Sequence, residues 1–133
     1  SCEMGWEEIP LGLPEMSLQA KCFPPDFEKE TCLGVLSRGL FVYSTFLKYL
    51  KETLFASEPH ESNYYWKAIE ILAGNLKSLM KNPETVEFVA PDLEALLAEQ
   101  SSSTPTLIRH VIFKRCMLFL DATVRAYIYI KSS

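Results

Sequence analysis

The sequence has neither a long hydrophobic run nor a basic cluster. Its 133 residues contain no run of about 18 apolar residues, the length that a membrane-spanning helix needs. The 13 lysines and arginines are scattered, and the net charge is −4 with a pI near 5.2. Because nucleic acid binding normally needs a clustered basic face, we expect no nucleic acid partner and no insertion into a membrane.

Motifs for catalysis are also missing. The chain has no G-x-S-x-G, H-E-x-x-H, G-x-G-x-x-G or Walker-type glycine loop. Its two histidines, His60 and His110, are far apart in sequence, and none of its four cysteines shows C-x-x-C spacing. We therefore expect no enzyme activity, no cofactor, no metal site and no small-molecule substrate.

Glycine is scarce, and the prolines are clustered. Five glycines and eight prolines leave a few long uninterrupted segments in a chain that is 48% apolar and 23% charged. This composition is typical of one folded domain, which we predict over residues 1–133. Gly34 and Gly39 fall inside the first predicted helix, where a glycine allows close contact between helices.

The most regular pattern lies between residues 33 and 54. Its apolar residues alternate three-step and four-step spacings, which places them on one face of an α-helix roughly 33 Å long. They are Leu33, Leu36, Leu40, Tyr43, Leu47, Leu50 and Leu54. We predict a helix over 29–56 with this face in the core and with Ser37, Ser44 and Lys48 on the solvent side.

The rest of the chain divides in the same way. Residues 1–28 combine apolar side chains with four prolines, which predicts a loop lying along the surface of the helices. Apolar stripes predict helices over 62–81 and 106–130, and the long connection 82–105 carries a short predicted helix over 91–100.

Long helices joined by long connections predict an all-α fold of a particular kind. Two long crossovers are typical of an up-up-down-down four-helix bundle. This chain supplies only three long helices, one fewer than such a bundle has. It also begins Ser-Cys-Glu without an initiator Met or a signal peptide, so we expect that it is processed, trimmed or cut from something longer.

Cys22 and Cys32 lie ten residues apart and bracket the end of the first loop. In an oxidising compartment, a disulfide between them would restrict the unfolded chain and stabilise the fold by about 3 kcal/mol. The alternative is a pair of free thiols.

Several blocks of the sequence resemble the interleukin-6 family. They are Leu11-Gly12-Leu13-Pro14-Glu15-Met16, Cys22-Phe23, Phe27-Glu28-Lys29-Glu30-Thr31-Cys32-Leu33, Gly39-Leu40, His110-Val111-Ile112-Phe113-Lys114 and Val124-Arg125-Ala126. The second and third blocks reproduce the family's cysteine separation, and the last two match its final helix. The resemblance covers nearly the whole chain, and the granulocyte colony-stimulating factor branch is the nearest competitor.

The resemblance implies a secreted helical cytokine that works by bringing receptor chains together. The predicted helices over 29–56, 62–81 and 106–130 are then helices B, C and D, and residues 1–28 are the remainder of the AB loop. Helix A, and the cysteine that would pair with Cys2, are expected upstream of this chain. Cys2 is then unpaired here, or it pairs with Cys116. The implied partners are a cytokine receptor alpha chain and a glycoprotein 130-type signalling receptor.

The resemblance also assigns receptor-binding residues. Phe23 and Phe27 match two loop aromatics that meet the specificity receptor, and Arg125 matches the key basic residue of helix D. Asp121 lies one turn before Arg125 on the same face. An arginine flanked by phenylalanines is a common composition of binding hot spots, although Phe27 packing its own loop is the alternative. Ile128 stands where the family tends to have another basic residue, so we expect weaker electrostatic steering toward that receptor.

A second contact would involve the glycoprotein 130-type receptor. The family's tryptophan at the start of helix D is absent, with Ser103 near that place. Trp6 falls where the early loop contributes an apolar residue to the same contact, so we expect Trp6 to supply the missing aromatic anchor; simple packing is the alternative. On helix C, Tyr64, Lys67 and Glu70 are exposed candidates for receptor contact.

Three other functions compete with an interleukin-6-like cytokine. The first is a cytokine of the granulocyte colony-stimulating factor type. The second is an intracellular, non-catalytic helical interaction domain, in which Cys22 and Cys32 stay reduced and the phenylalanines are core. An enzyme ranks last because the sequence shows no residues to carry catalysis. Mass analysis of a Cys22–Cys32 linked peptide without reductant separates the secreted from the intracellular function.

Overall fold

The computed structural model describes residues 9–53 and 65–133. Within these ranges the chain forms α-helices and short 3-10 turns that are joined by irregular segments, and no strand occurs. The α-helices are α1 at Lys29–Glu52, α2 at Tyr65–Ser78, α3 at Leu93–Ala98 and α4 at Pro105–Ser132, with 3-10 turns at Leu18–Ala20 and Pro83–Thr85. The all-α class that the sequence predicts is confirmed.

The helix ends follow local hydrogen bonds. The predicted end of α1 and the predicted start of α2 fall in 54–64, outside the described residues. α2 ends before the predicted residue 81, and the backbone N–H of Met80 donates to the carbonyl of Lys77 in a tightened last turn (3.0 Å). α3 is shorter than the predicted 91–100, and the Asp92 side chain caps it. α4 begins one residue earlier than predicted, since the Thr104 hydroxyl caps it.

The buried face of α1 carries the expected apolar stripe from Leu33 to Leu50, and it also carries two serines that the sequence pattern placed wrongly. Leu54, the last predicted member of the stripe, lies outside the described residues. Ser37 and Ser44 are buried rather than solvent-facing. Each hydroxyl donates to a carbonyl of its own helix, that of Gly34 for Ser37 (3.1 Å) and that of Phe41 for Ser44 (2.5 Å). A serine satisfied in this way has no polar group left that needs water, so it can enter the core.

α2 and α4 both pack on α1 and both run antiparallel to it. At the start of α1, the Glu30 carboxylate accepts hydrogen bonds from the backbone just after α2, and at its end Lys48 lies over the ring of Trp66. On the other side, Phe27 just before α1 lies beside Tyr129 near the end of α4, and Tyr43 lies beside Phe119 earlier in α4, with 5.6 Å between the ring centroids of the second pair. α2 and α4 therefore run in the same direction, as the last two helices of an up-up-down-down bundle do.

The described residues before α1, 9–28, lie against the helices, as the sequence predicts for the surface loop over 1–28. Leu11, Leu13 and Ala20 are buried in the same core as the α1 stripe. The Tyr43 hydroxyl donates to the backbone carbonyl of Pro14 over 2.7 Å, which ties the middle of this loop to the middle of α1. Burial also raises the pKa of Tyr43 well above its usual range, so the phenol stays a donor.

Candidate functional site

A short loop before α1 is closed by three links, and we call residues 21–28 the clasped loop. Cys22 and Cys32 form a disulfide, with 4.8 Å between their Cα atoms. The Glu28 backbone N–H donates to the carbonyl of Lys21 (2.9 Å), and the Lys21 ammonium lies 3.0 Å from the Glu28 carboxylate. That hydrogen-bonded ion pair raises the pKa of Lys21 and lowers that of Glu28. The loop is therefore held in one shape with both its ends anchored at the start of α1.

The clasped loop contacts the last turns of α4 through two rings. Phe27 lies edge-on to Tyr129, with ring centroids 4.9 Å apart and an interplanar angle of 64°. This is a favourable geometry for two aromatic rings, because the positive edge of one meets the negative face of the other. Phe23, at the other side of the loop, keeps 38% of its surface exposed. The contact brings the clasped loop and the end of α4 to the same end of the molecule.

Arg125 lies on α4 one turn before Tyr129, on the same face. Its guanidinium is 3.2 Å from the Asp121 carboxylate, and both side chains are mostly exposed. Ile128, one turn after Arg125, is 64% exposed. We call the set formed by these α4 residues and the loop aromatics the loop–α4 surface: Phe23, Phe27, Asp121, Arg125, Ile128 and Tyr129.

Tyr129 is the member of this surface that the sequence-based prediction missed. The available signal was its position, since it follows Arg125 by four residues and therefore shares a helix face with it. That spacing separates Tyr129 from Tyr127, which lies two residues after Arg125 on another face and near the Lys131 ammonium. The spacing does not show that the clasped loop packs against Tyr129, which only the three-dimensional structure shows.

Other predicted positions are placed only in part. Cys2, Trp6 and Tyr64 lie outside the described residues. Lys67 and Glu70 are exposed on α2, as expected for contact candidates. Whether these residues contact a receptor stays a prediction.

An apolar groove of about 350 Å³ runs between α2 and α4, away from the loop–α4 surface. Its walls are Tyr65, Ala68 and Ile69 on α2 and Phe113, Cys116, Met117 and Leu120 on α4, with Leu47 of α1 also lining it. Met117 is 62% exposed although it faces apolar neighbours. Burial raises the pKa of the Cys116 thiol to about 12, because a thiolate there would lose its hydration. The groove is thus an apolar face that the described residues leave open.

The described residues offer little to a metal ion or to a bilayer. In 9–53 and 65–133, no three His, Cys, Asp or Glu side chains come together as a metal site requires. Among the helices in those ranges, none combines the length and the apolar character that crossing a membrane demands.

Comparison with known proteins identifies relatives along nearly the whole chain. The Interleukin-6/G-CSF/MGF family matches residues 3–129. Chicken (Gallus gallus) interleukin-6 is 33% identical over 129 residues, covering 92% of this chain and 52% of the chicken protein. Cat (Felis catus) interleukin-6 is 28% identical over 120 residues, covering 87% of this chain and 57% of the cat protein. Mouse (Mus musculus) interleukin-6 is 26% identical over 120 residues, with the same two shares of 87% and 57%.

These matches cover this chain far more fully than they cover the relatives. The chain spans about half the length of the interleukin-6 proteins that it matches. No solved structure matches it significantly. Because the family match includes almost every residue and the chicken relative is 33% identical across most of the chain, the chain belongs to the interleukin-6/G-CSF/MGF family.

Proposed function

We propose that the protein is a secreted cytokine that signals by binding and assembling cell-surface receptor chains, as an interleukin-6-type ligand. Proteins of this family are signalling ligands, so the membership also confirms the prediction that the chain is not an enzyme. The observation that carries the proposal is the family match over residues 3–129. The Phe27–Tyr129 contact adds that the clasped loop lies against the α4 turn next to Arg125.

The loop–α4 surface suits the binding of a receptor alpha chain. It combines exposed aromatic carbon at Phe23 with the guanidinium of Arg125, and both residue types are common at binding hot spots. The clasp fixes the loop before any partner arrives, so binding does not have to order it. Phe27 is half-buried against Tyr129, so it serves as the support of the surface and Phe23 as its protruding anchor.

The disulfide supports extracellular localisation. Disulfides persist in oxidising compartments and are rare in the cytosol. The Cys22–Cys32 bridge therefore favours the secreted ligand over an intracellular helical interaction domain.

The contact with a glycoprotein 130-type receptor is the second half of the proposal. Trp6 is the aromatic anchor that we assign to it, in place of the family's tryptophan near Ser103. The replacement Trp6→Ala should weaken binding of this receptor and leave the melting temperature nearly unchanged. A large fall in melting temperature with receptor binding intact would refute that assignment.

The expected fourth long helix also stays a prediction, and the groove between α2 and α4 supports it. An amphipathic helix laid there would cover Met117 and Leu120 on one side and Ile69 on the other. The relatives carry nearly as much chain again as the part matched here, which is ample for such a helix.

Receptor binding can be tested directly with the full chain as it is naturally expressed. Each receptor ectodomain is immobilised separately, and binding is measured by surface plasmon resonance. We expect the alpha chain to bind, and the glycoprotein 130-type chain to bind more tightly once the alpha chain is present. The double variant Phe23→Ala/Arg125→Ala should weaken alpha-chain binding at least about tenfold with unchanged thermal stability.

The matched control is Val89→Ala, which removes an apolar side chain of 65% exposure from a connection that is not part of the loop–α4 surface. It should leave alpha-chain binding unaltered. Absence of binding to both ectodomains would overturn the proposed function. If the double variant binds the alpha chain as tightly as wild type does, the loop–α4 surface is not part of the receptor-binding site.

A further inference from the structure

A second groove, of about 510 Å³, lies between α1 and the connection that follows α2, and we call it the outer groove. Phe41 and Val42 of α1 and Val89 of the connection supply its apolar lining, and Val89 is 65% exposed. The charged and polar side chains that complete the lining are Arg38, Glu84, Thr85 and Glu87. None of these residues belongs to the loop–α4 surface or to the groove between α2 and α4, so neither of those sites accounts for it.

The connection that forms one wall of the outer groove is anchored to α1. At its start, the Glu30 carboxylate accepts two backbone N–H groups just after α2. Val86 is buried next to Gly34, since a Cβ added at Gly34 would lie 3.4 Å from a methyl group of Val86. The ring of Phe88 then stacks on that of Phe41, with centroids 4.7 Å apart and an interplanar angle of 11°. The groove is therefore formed before any partner arrives, so binding does not have to order it.

The two walls of the outer groove carry opposite charge. The α1 wall has the cation Arg38, and the wall formed by the connection has the anions Glu84 and Glu87, all three with exposed side chains. The ion pairs that form within residues 9–53 and 65–133 include none of these three. A partner that fits the groove must therefore bring an anion for one wall, a cation for the other and apolar surface between them.

We propose that the outer groove is the contact between two copies of this chain. In a pair with two-fold symmetry, every residue contact occurs twice with the roles exchanged. Arg38 of one copy then meets Glu84 and Glu87 of the other, the reverse contact forms at the same time, and each exposed Val89 covers apolar lining of the other copy. An anionic polymer or an anionic lipid surface would satisfy the α1 wall and be repelled by the other wall. This inference does not rest on the proposed function.

Sedimentation velocity of the full natural chain over about 1–300 μM tests the pairing. We expect a reversible dimer whose share grows with concentration. Arg38→Glu places like charges together across the contact, and Glu84→Arg/Glu87→Arg does so with the opposite sign. Each variant alone should raise the dimer Kd at least about tenfold. Because the three side chains are exposed, the melting temperature should stay that of wild type.

A mixture of the two variants is the decisive sample. In a mixed pair, the new carboxylate of Arg38→Glu meets the new guanidinium groups of the other variant, and the unchanged Arg38 meets the unchanged Glu84 and Glu87. With one variant dye-labelled and followed at the wavelength of the dye, the mixed dimer should have a Kd within about threefold of wild type. Lys67→Glu and Glu99→Arg are the controls, since they change exposed charges outside the groove and should leave the dimer unaltered, alone or mixed.

The other outcomes overturn the inference. A chain that stays monomeric over the whole concentration range has no such contact. A dimer that the charge variants leave intact uses another surface. If each variant weakens the dimer but the mixture does not recover, the charges do not meet across the contact. Since receptor ectodomains are absent from these measurements, failure of the proposed function and failure of this inference are observed separately.

Discussion

Gly39 of α1 lies directly against the ring of Phe119 on α4. A Cβ at Gly39 would overlap that ring, with 2.7 Å to its Cε1 atom. Phe119 in turn lies beside Tyr43, one turn along α1 from Gly39. The glycine therefore sets how closely α4 approaches α1, which is the role that its position in a long helix predicts.

The replacement Gly39→Ala should destabilise the protein by about 1–3 kcal/mol, because the new methyl group displaces a buried ring in a packed core. Urea unfolding measures the change. Gly74→Ala is the matched control, since Gly74 lies inside α2 and a Cβ added there would meet nothing within 4 Å. That variant should gain about 0.5–1 kcal/mol from helix propensity. Equal changes in unfolding free energy at the two glycines would contradict the close contact between Gly39 and the Phe119 ring.

Phe27 and Tyr129 should be coupled in stability. Their edge-on contact predicts a coupling free energy of about 0.5–1.5 kcal/mol in a double-mutant cycle with Phe27→Ala and Tyr129→Ala, measured by urea unfolding. Phe23→Ala with Tyr129→Ala is the control cycle and should be additive. A coupling near zero for Phe27 and Tyr129 would mean that the loop does not rest on α4 in solution.

Glu30 should give the protein part of its acid sensitivity. Its carboxylate accepts the backbone N–H groups of Lys81 (2.9 Å) and Asn82 (2.8 Å), and these bonds lower its pKa. A lowered folded-state pKa means that the stabilisation is complete above the unfolded-state pKa, about 4.3, and is lost as the pH falls through the lower folded-state value. Glu30→Gln should therefore reduce stability at pH 7 and flatten its decline below about pH 5.

Urea unfolding at a series of pH values measures this effect. Glu87→Gln, at another exposed glutamate, is the control and should leave the decline as steep as in wild type. If the stability of Glu30→Gln falls with acid as steeply as that of wild type, the hydrogen bonds from Lys81 and Asn82 to Glu30 do not contribute to the acid sensitivity.

Removing the disulfide should weaken both the fold and the binding surface. The double variant Cys22→Ser/Cys32→Ser should lose about 2–3 kcal/mol of unfolding free energy on the loop-entropy model, since the bridge closes a short loop. It should also bind the alpha chain less well, because Phe23 is no longer held. Adding reductant should bring wild type to the level of the variant and leave the variant unchanged. A variant as stable as wild type would contradict the claim that the Cys22–Cys32 disulfide stabilises the fold.

Cys116 should react slowly with alkylating reagents. Burial raises its pKa to about 12, so little thiolate is present at pH 8. We expect iodoacetamide to modify Cys116 at least about a hundredfold more slowly in the folded chain than in urea, with peptide mapping to assign the label. A longer natural chain that carries the expected helix should protect Cys116 further. Equal alkylation rates of Cys116 in the longer natural chain and in residues 1–133 would show that the added segment does not cover the groove.

The sequence alone predicted the helical class, the bracket of two cysteines and most of the residues on the loop–α4 surface. Helices were predictable because a face that repeats every 3.6 residues can be buried only by a helix. Phe23, Phe27 and Arg125 were found by resemblance to the family, and Asp121 by its one-turn spacing from Arg125. Their receptor contacts are not tested by the structure and stay predictions.

What the tertiary structure decided were the relations between residues far apart in the chain. Tyr129 is part of the surface because Phe27 of the clasped loop packs against it, and no local sequence pattern predicts that contact. Ser37 and Ser44 are buried because each hydroxyl donates a hydrogen bond to a carbonyl of its own helix. Residue type alone predicts that serine lies at the surface. Periodicity thus determined the helices, because it depends on neighbours a turn apart; the binding surface depends on how separate segments pack, which the three-dimensional fold alone sets.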